Sequence, residues 1–283
     1  MRTLEPRLAT RSPLVKLVCF TPVELAGVTA SWCEPLAEEE SPSTVLYLHG
    51  GAYVMGSVEL YREIIARLVL DARCRVLGVD YRLGPETPFP GAHDDCFEVY
   101  RALLESGVDP RRLAVVGDSA GGSLALATLC RARDASLPMP AAAVLFSPWV
   151  DPGADDGSLS ANEDDDVIGR PFLQMGIDGY MDGQDLNDPR LAPLHADLTG
   201  LPPLLVQVGD AEILLDQDRE LAPRARAAGV EVDLKVYEDL FHSFQNLTTT
   251  LPRCESAVAD STAFLRSRLE LSQSEPRADP VLG

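Results

Sequence analysis

From about residue 44 onward, short apolar runs rich in β-branched residues alternate with longer stretches of helical period, and this alternation leaves few ways to fold. The runs at 44–48, 76–79, 113–116, 142–146, 204–208 and 232–237 are too short for helices and have the composition of buried strands. Between or after them, helical patterns cover 58–70, 92–104, 119–133, 214–228 and 254–269. Strands that alternate with helices in this way pair in parallel, so the expected class is α/β: a mostly parallel central sheet flanked by helices. Upstream, 14–20 and 23–32 read as two strands meeting at Thr21-Pro22, an antiparallel pair at the sheet edge. The rhythm breaks over 151–199, a stretch rich in Gly, Asp, Asn and Pro. It is expected to be a cap inserted over the C-terminal edge of the sheet, dividing a core formed by 1–150 and 200–271. Residues 272–283 read as a flexible polar tail.

Composition removes several function classes. The chain has 283 residues, 46% hydrophobic and 24% charged, enough for one large core and without the run of about 18 apolar residues that a membrane span needs. Its N-terminus carries arginines but leads into no apolar stretch of signal-peptide length, so a cytoplasmic location is expected. The six cysteines are scattered, with no C-x-x-C pair and no zinc-type spacing, and read as reduced thiols. With 24 basic against 44 acidic residues the net charge is −20, which repels nucleic acid and anionic membrane surfaces.

The chemistry gathers at the ends of the strands. Gly117-Asp118-Ser119-Ala120-Gly121 fits G-x-S-x-G directly after one strand and before a helix, the context in which that motif has mechanical meaning. So sharp a turn needs small residues around it and holds Ser119 Oγ out at the sheet edge as a nucleophile. His49-Gly50-Gly51-Ala52 follows the first core strand and has the form of an oxyanion loop. Backbone N–H groups of Gly50, Gly51 and Ala120 are the expected donors to a negative oxygen, while His49 itself is expected to pin the loop. A serine nucleophile needs a base, and of the histidines at 49, 93, 195 and 242, only His242 follows the last strand, where the order Ser, acid, His puts it. The orienting acid should hang from the loop after 204–208. There Glu212 sits in mid-loop and leads, ahead of Asp210, which the turn can hold, and Asp216, which suits a helix start. Tyr53 and Phe89 are the candidate substrate-binding residues, with Met55, Phe172, Met175 and Tyr180 as further pocket candidates.

Taken together, these segments resemble the hormone-sensitive-lipase family of bacterial esterases, in the α/β-hydrolase superfamily. The resemblance rests on His49-Gly50-Gly51-Ala52, on Asp80-Tyr81-Arg82-Leu83-Gly84-Pro85-Glu86 with Pro88-Phe89-Pro90, on Gly117-Asp118-Ser119-Ala120-Gly121-Gly122, on Ser147-Pro148-Trp149-Val150-Asp151, and on the stretch from Leu201 to Phe244, in that order. It covers roughly residues 44–250. In the family the acid opens a D/E-P-L-x-D-like segment, a place that falls on Glu212, with Ile213 where relatives have Pro. The resemblance implies a serine hydrolase that cleaves a small carboxylic ester, acetyl ester or lactone through an acyl-enzyme on Ser119, with no metal or organic cofactor. Rival readings on the same fold are a catalytically silent small-molecule receptor, which in such relatives lacks the histidine, and a dehydratase. Relatives usually place cap-forming helices before the first strands. Here only about a dozen residues precede Leu14, so the cap is expected to come mainly from the insertion. A homodimer through the last strand is a further expectation.

Overall fold

The computed structural model of the chain describes residues 12–36, 43–247 and 251–271. The expected tail at 272–283 and residues 1–11, on which the reading of the N-terminus rested, lie outside the described residues. Among the described residues, eight strands form one sheet: β1 (Val18–Leu25), β2 (Val28–Pro35), β3 (Thr44–Leu48), β4 (Arg75–Val79), β5 (Leu113–Asp118), β6 (Ala142–Phe146), β7 (Leu204–Gly209) and β8 (Val232–Tyr237). Their spatial order is β1-β2-β4-β3-β5-β6-β7-β8, antiparallel at β1–β2 and β2–β4 and parallel elsewhere.

The sheet is covered on both faces, which is why its central strands are apolar throughout rather than alternating with polar residues. In β3 every residue is buried, yet successive side chains still part company. Val45 and Tyr47 enter the core under α1 (Arg62–Asp71) and α7 (Glu255–Leu271), while Leu46 and Leu48 enter the core under α2 (Gly91–Glu105), α3 (Ala120–Asp134) and α6 (Leu215–Ala227). Among the described residues no helix is long and apolar enough to cross a membrane.

Two expected boundaries move by several residues. The N-terminal pair turns at Ala26-Gly27, not at Thr21-Pro22, with φ of 54° and 76° at the two turn residues. Two successive left-handed residues match the twist of a two-residue hairpin. Pro22 lies within β1 opposite Ser31, where the edge position of the strand tolerates a missing N–H. The helix expected from residue 58 begins only at Arg62. Val58 donates its backbone N–H to Asp80 Oδ1 at 2.7 Å, so the chain is held as a turn, and the Val58 side chain packs against Gly78 of β4 without helical backbone.

The inserted stretch contains α4 (Ser158–Ala161), α5 (Arg170–Gly176), a π-helical turn at Ile177–Met181 and a 3-10 turn at Pro193–His195. It lies between β6 and β7 in the chain; the site described below gathers at the C-terminal ends of β5, β7 and β8.

Close packing at the start of α3 fixes that site. A methyl group on Gly121 would overlap the carbonyl oxygen of Leu48 at the end of β3, so only glycine lets helix and strand come this near. Gly121→Ala is expected to lower the unfolding free energy in urea by about 1–3 kcal/mol, the usual range for forced overpacking. At Gly107, φ is +92° but nothing lies within 4 Å of an added methyl. The same change there should lower stability by about 1–2 kcal/mol through backbone strain alone. A smaller loss at 121 than at 107 would contradict the steric argument.

Candidate active site

Ser119 stands between β5 and α3 with φ 53° and ψ −119°, a conformation that L-residues rarely adopt. The surrounding structure enforces it. Ser119 N–H donates to the Phe146 carbonyl at 2.8 Å, and the Ser119 carbonyl accepts from Gly122 N–H at 2.9 Å and Trp149 N–H at 3.0 Å. The residue is thus tied to the end of β6 as well as to its own helix. Sequence reasoning placed Ser119 in the helix; the helix starts one residue later, at Ala120.

The side chains of Ser119, His242 and Glu212 meet. Ser119 Oγ lies 2.8 Å from His242 Nε2, and His242 Nδ1 lies 3.1 Å from Glu212 Oε2. A carboxylate only accepts, so Nδ1 carries the proton and Nε2 is left as the acceptor for the serine hydroxyl. All three residues are buried. Glu212 Oε1 also accepts the Gly209 N–H and, at 2.8 Å, the Ser147 hydroxyl. Ser147, in turn, accepts the N–H of Ser243 at 3.3 Å, so one hydroxyl touches both the acid and the loop of the base. Burial alone would pull the His242 imidazole down, but the bond to Glu212 and its charge, with Asp118 and Asp166 nearby, leave it above its ordinary value. Burial pushes the Glu212 carboxyl up, and the His242 ring, the Gly209 N–H and the Ser147 hydroxyl pull against it.

The other histidines and acids have different partners. His49 Nδ1 bonds the Gly50 carbonyl at 2.8 Å, its own carbonyl accepts from Tyr81 OH at 2.7 Å, and burial lowers its ring to about 4. His93 meets Tyr180 OH at 2.7 Å and is likewise lowered by burial to about 4. His195 faces Asp151 at 3.5 Å. Asp210 accepts the Asp239 N–H at 2.7 Å in the turn, and Asp216 accepts the Ser158 N–H at 2.8 Å. Of the acids weighed from sequence, Glu212 is the one bonded to His242.

A cavity of about 240 Å³ opens on Ser119 and His242. Gly51 lines it beside Ser119, at φ +113°, where a side chain would run into the Met55 carbonyl. Gly50 precedes Gly51 in the same loop, and Ala120 opens α3, where first-turn N–H groups have no intrahelical partner. The cavity wall is apolar: Met55 and Leu60 from the loop after β3, and Val167, Ile168 and Phe172 from the insertion.

Met55 and Phe172 therefore stand where sequence suggested, whereas the candidate binding residues Tyr53 and Phe89 do not line this cavity. Left-handed backbone at Ala52 and Tyr53, φ 50° and 61°, turns the chain back, and the fully buried Tyr53 ring stacks on Tyr180 at 4.7 Å. Phe89 borders a different cavity with His93 and Arg190, the Arg190 guanidinium lying 4.9 Å over its ring. Met175 is exposed and Tyr180 buried in the Tyr53 cluster. Sequence reasoning missed Ser147 and Asp166 as neighbours of the site. Ser147 had a signal, since it directly follows a strand and precedes Pro148, at the edge where functional loops gather.

Comparison with known proteins bears on the same arrangement. Residues 45–246 match a protein-family model described as alpha/beta hydrolase fold. The chain is 39% identical over 246 residues to an acetyl-hydrolase of Streptomyces hygroscopicus, covering 87% of this chain and 82% of that protein. It is 37% identical over 263 residues to an esterase of Acinetobacter venetianus, covering 92% and 85%. Among solved structures, an esterase from the bacterial hormone-sensitive lipase family superimposes with a TM-score of 0.89 at 41% identity, over 95% of this chain and 90% of that one. The chain therefore belongs to the α/β-hydrolase family, in its bacterial hormone-sensitive-lipase branch, and is a carboxylic ester hydrolase.

Proposed function

We propose that Ser119 is the nucleophile of this serine esterase, His242 its general base and acid, and Glu212 the carboxylate that orients the imidazole. The observation that carries the reading is the unbroken buried relay from Ser119 Oγ through His242 to Glu212, at 2.8 and 3.1 Å. As Oγ attacks the ester carbonyl, His242 Nε2 takes its proton. The carbonyl oxygen becomes an oxyanion facing the N–H groups of Gly50, Gly51 and Ala120. Collapse expels the alcohol, which takes the proton from Nε2, and leaves an acyl group on Ser119. Water, deprotonated by the same nitrogen, releases the acid.

Two features support a compact, uncharged substrate. The cavity of about 240 Å³ falls below the roughly 300–1,000 Å³ of drug-sized pockets. A net charge of −20 disfavours anionic esters at a distance. Small acetyl esters and lactones fit both, and the acetyl-hydrolase name of one relative supports the former. Six free thiols, five of them buried, support a reducing, cytoplasmic setting. Pairing of β8 with the β8 of a second copy is a self-association that this terminal strand of the sheet offers.

Ser119→Ala should retain the parent's circular dichroism and lose turnover of p-nitrophenyl acetate by about 10³-fold or more. An inactive parent under the same conditions would favour a receptor instead. Because Glu212 supports the imidazolium, the His242 ring is raised, and kcat/KM should fall as pH drops through a value above the ordinary imidazole range of about 6.5. Glu212→Gln removes that support, so the acid limb should move to lower pH while kcat drops on the order of 10³–10⁴-fold. A limb that stays in place would sink the role given to Glu212. Across p-nitrophenyl esters, kcat/KM for acetate and butyrate should exceed that for laurate by about tenfold or more. A preference for laurate would refute the compact pocket.

A further inference from the structure

One carboxylate of the inserted segment grips the site from outside the relay. Asp166 Oδ1 accepts the backbone N–H of His242 at 2.7 Å and that of Val167 at 2.7 Å, and Oδ2 accepts the backbone N–H of Ile213 at 2.8 Å. His242 follows β8 and Ile213 follows β7, so a single side chain joins the backbone of the base to the backbone beside the acid. Four and eight residues upstream, the same segment holds the acid loop again. Asn162 Nδ2 donates to the carbonyls of Asp210 at 2.9 Å and Glu212 at 2.8 Å. Ser158 Oγ donates to the Ile213 carbonyl at 2.8 Å and accepts the Asp216 N–H at 3.0 Å. Immediately downstream, Val167, Ile168 and Phe172 form the insertion's share of the cavity wall.

We infer that Asp166 is a positioning residue: by holding the backbone of His242 and Ile213 together, it keeps the imidazole in line with both Ser119 and Glu212, and it ties that alignment to the seating of the insertion over the pocket. The inference rests on the roles proposed above for Ser119, His242 and Glu212. Among these contacts, the bond to the His242 N–H fixes where the ring's own backbone begins. A displacement of about 1 Å there is the kind of error that lowers rates by about 100-fold without removing any reacting group. Asp166 also adds negative charge near the ring, which three carboxylates face: Glu212 from the loop after β7, Asp118 from the end of β5, and Asp166 from the insertion.

The test compares the full-length parent with Asp166→Asn, Asp166→Ala and Asp165→Asn, using p-nitrophenyl acetate. Asp165 is exposed and serves as a control for net charge. Active sites are counted by stoichiometric inactivation with an organophosphate, so kcat is read per competent site even if a variant loses stability. Both Asp166 variants should lower kcat about 10–100-fold with KM changed less than about threefold, and the acid limb of kcat/KM should move to lower pH. Asp165→Asn should superimpose on the parent in both readouts. If Asp166→Ala does not fold, Asp166→Asn decides, since it keeps the side chain's size but has one acceptor oxygen where the His242 and Ile213 N–H groups need two. Per-site kcat within about twofold of the parent and an unmoved acid limb in the Asp166 variants would overturn the inference. So would equal effects from Asp165→Asn, which would assign the change to overall charge. Full turnover by Ser119→Ala would instead overturn the underlying assignment, whatever the Asp166 variants do.

Discussion

The site depends on a contact in which no side chain takes part: the start of α3 lies against the last carbonyls of β3 with only the hydrogen of Gly121 between them. That approach sets two things at once. It places the turn bearing Ser119 at the sheet edge, and it brings the His49-Gly50-Gly51 loop, which continues from β3, alongside it. The nucleophile and its proposed oxyanion donors thus belong to one rigid packing unit. The acid and the base come from loops after β7 and β8, and must be delivered to that unit from further along the sheet.

Burial raises two carboxylates near the site, and they differ in their hydrogen-bond partners. Glu212 receives the His242 ring, the Gly209 N–H and the Ser147 hydroxyl, a donor set that favours the ionised form. Asp218, on α6 and equally buried, has no hydrogen-bond partner for either oxygen among the described residues. Burial, and then the charge of Glu212, push its carboxyl well above the ordinary range.

Much of this was legible in the sequence, for reasons that differ by element. The strands β3, β6 and β8 fall on the expected residues, because short apolar or alternating runs between turn formers have no other use in such a chain. The places of Ser119 and His242 could be read because strand-end position and chain order are properties of the linear sequence. Pro22 misled because a breaker in most strands is harmless at an edge, and edge position is a fact about pairing. Tyr53 and Phe89 misled because proximity in sequence to a strand end does not say which way a ring turns: backbone φ at Ala52 and Tyr53 turns the former away, and Phe89 packs against His93 and Arg190. Asp166 gave no sign at all. It lies in an acidic run, Asp164-Asp165-Asp166, within a stretch of no clear period, and its bonds go to backbone groups 47 and 76 residues away.

The insertion's double contact has a consequence for engineering. Residues that shape the pocket wall and residues that brace the acid and base loops share one short segment, so grafting a relative's cap to change selectivity would also exchange the brace. A chimaera that transplants 158–172 together with both the 209–216 loop and the loop bearing His242 keeps matched surfaces matched; one that moves any piece alone leaves an acceptor facing a foreign backbone.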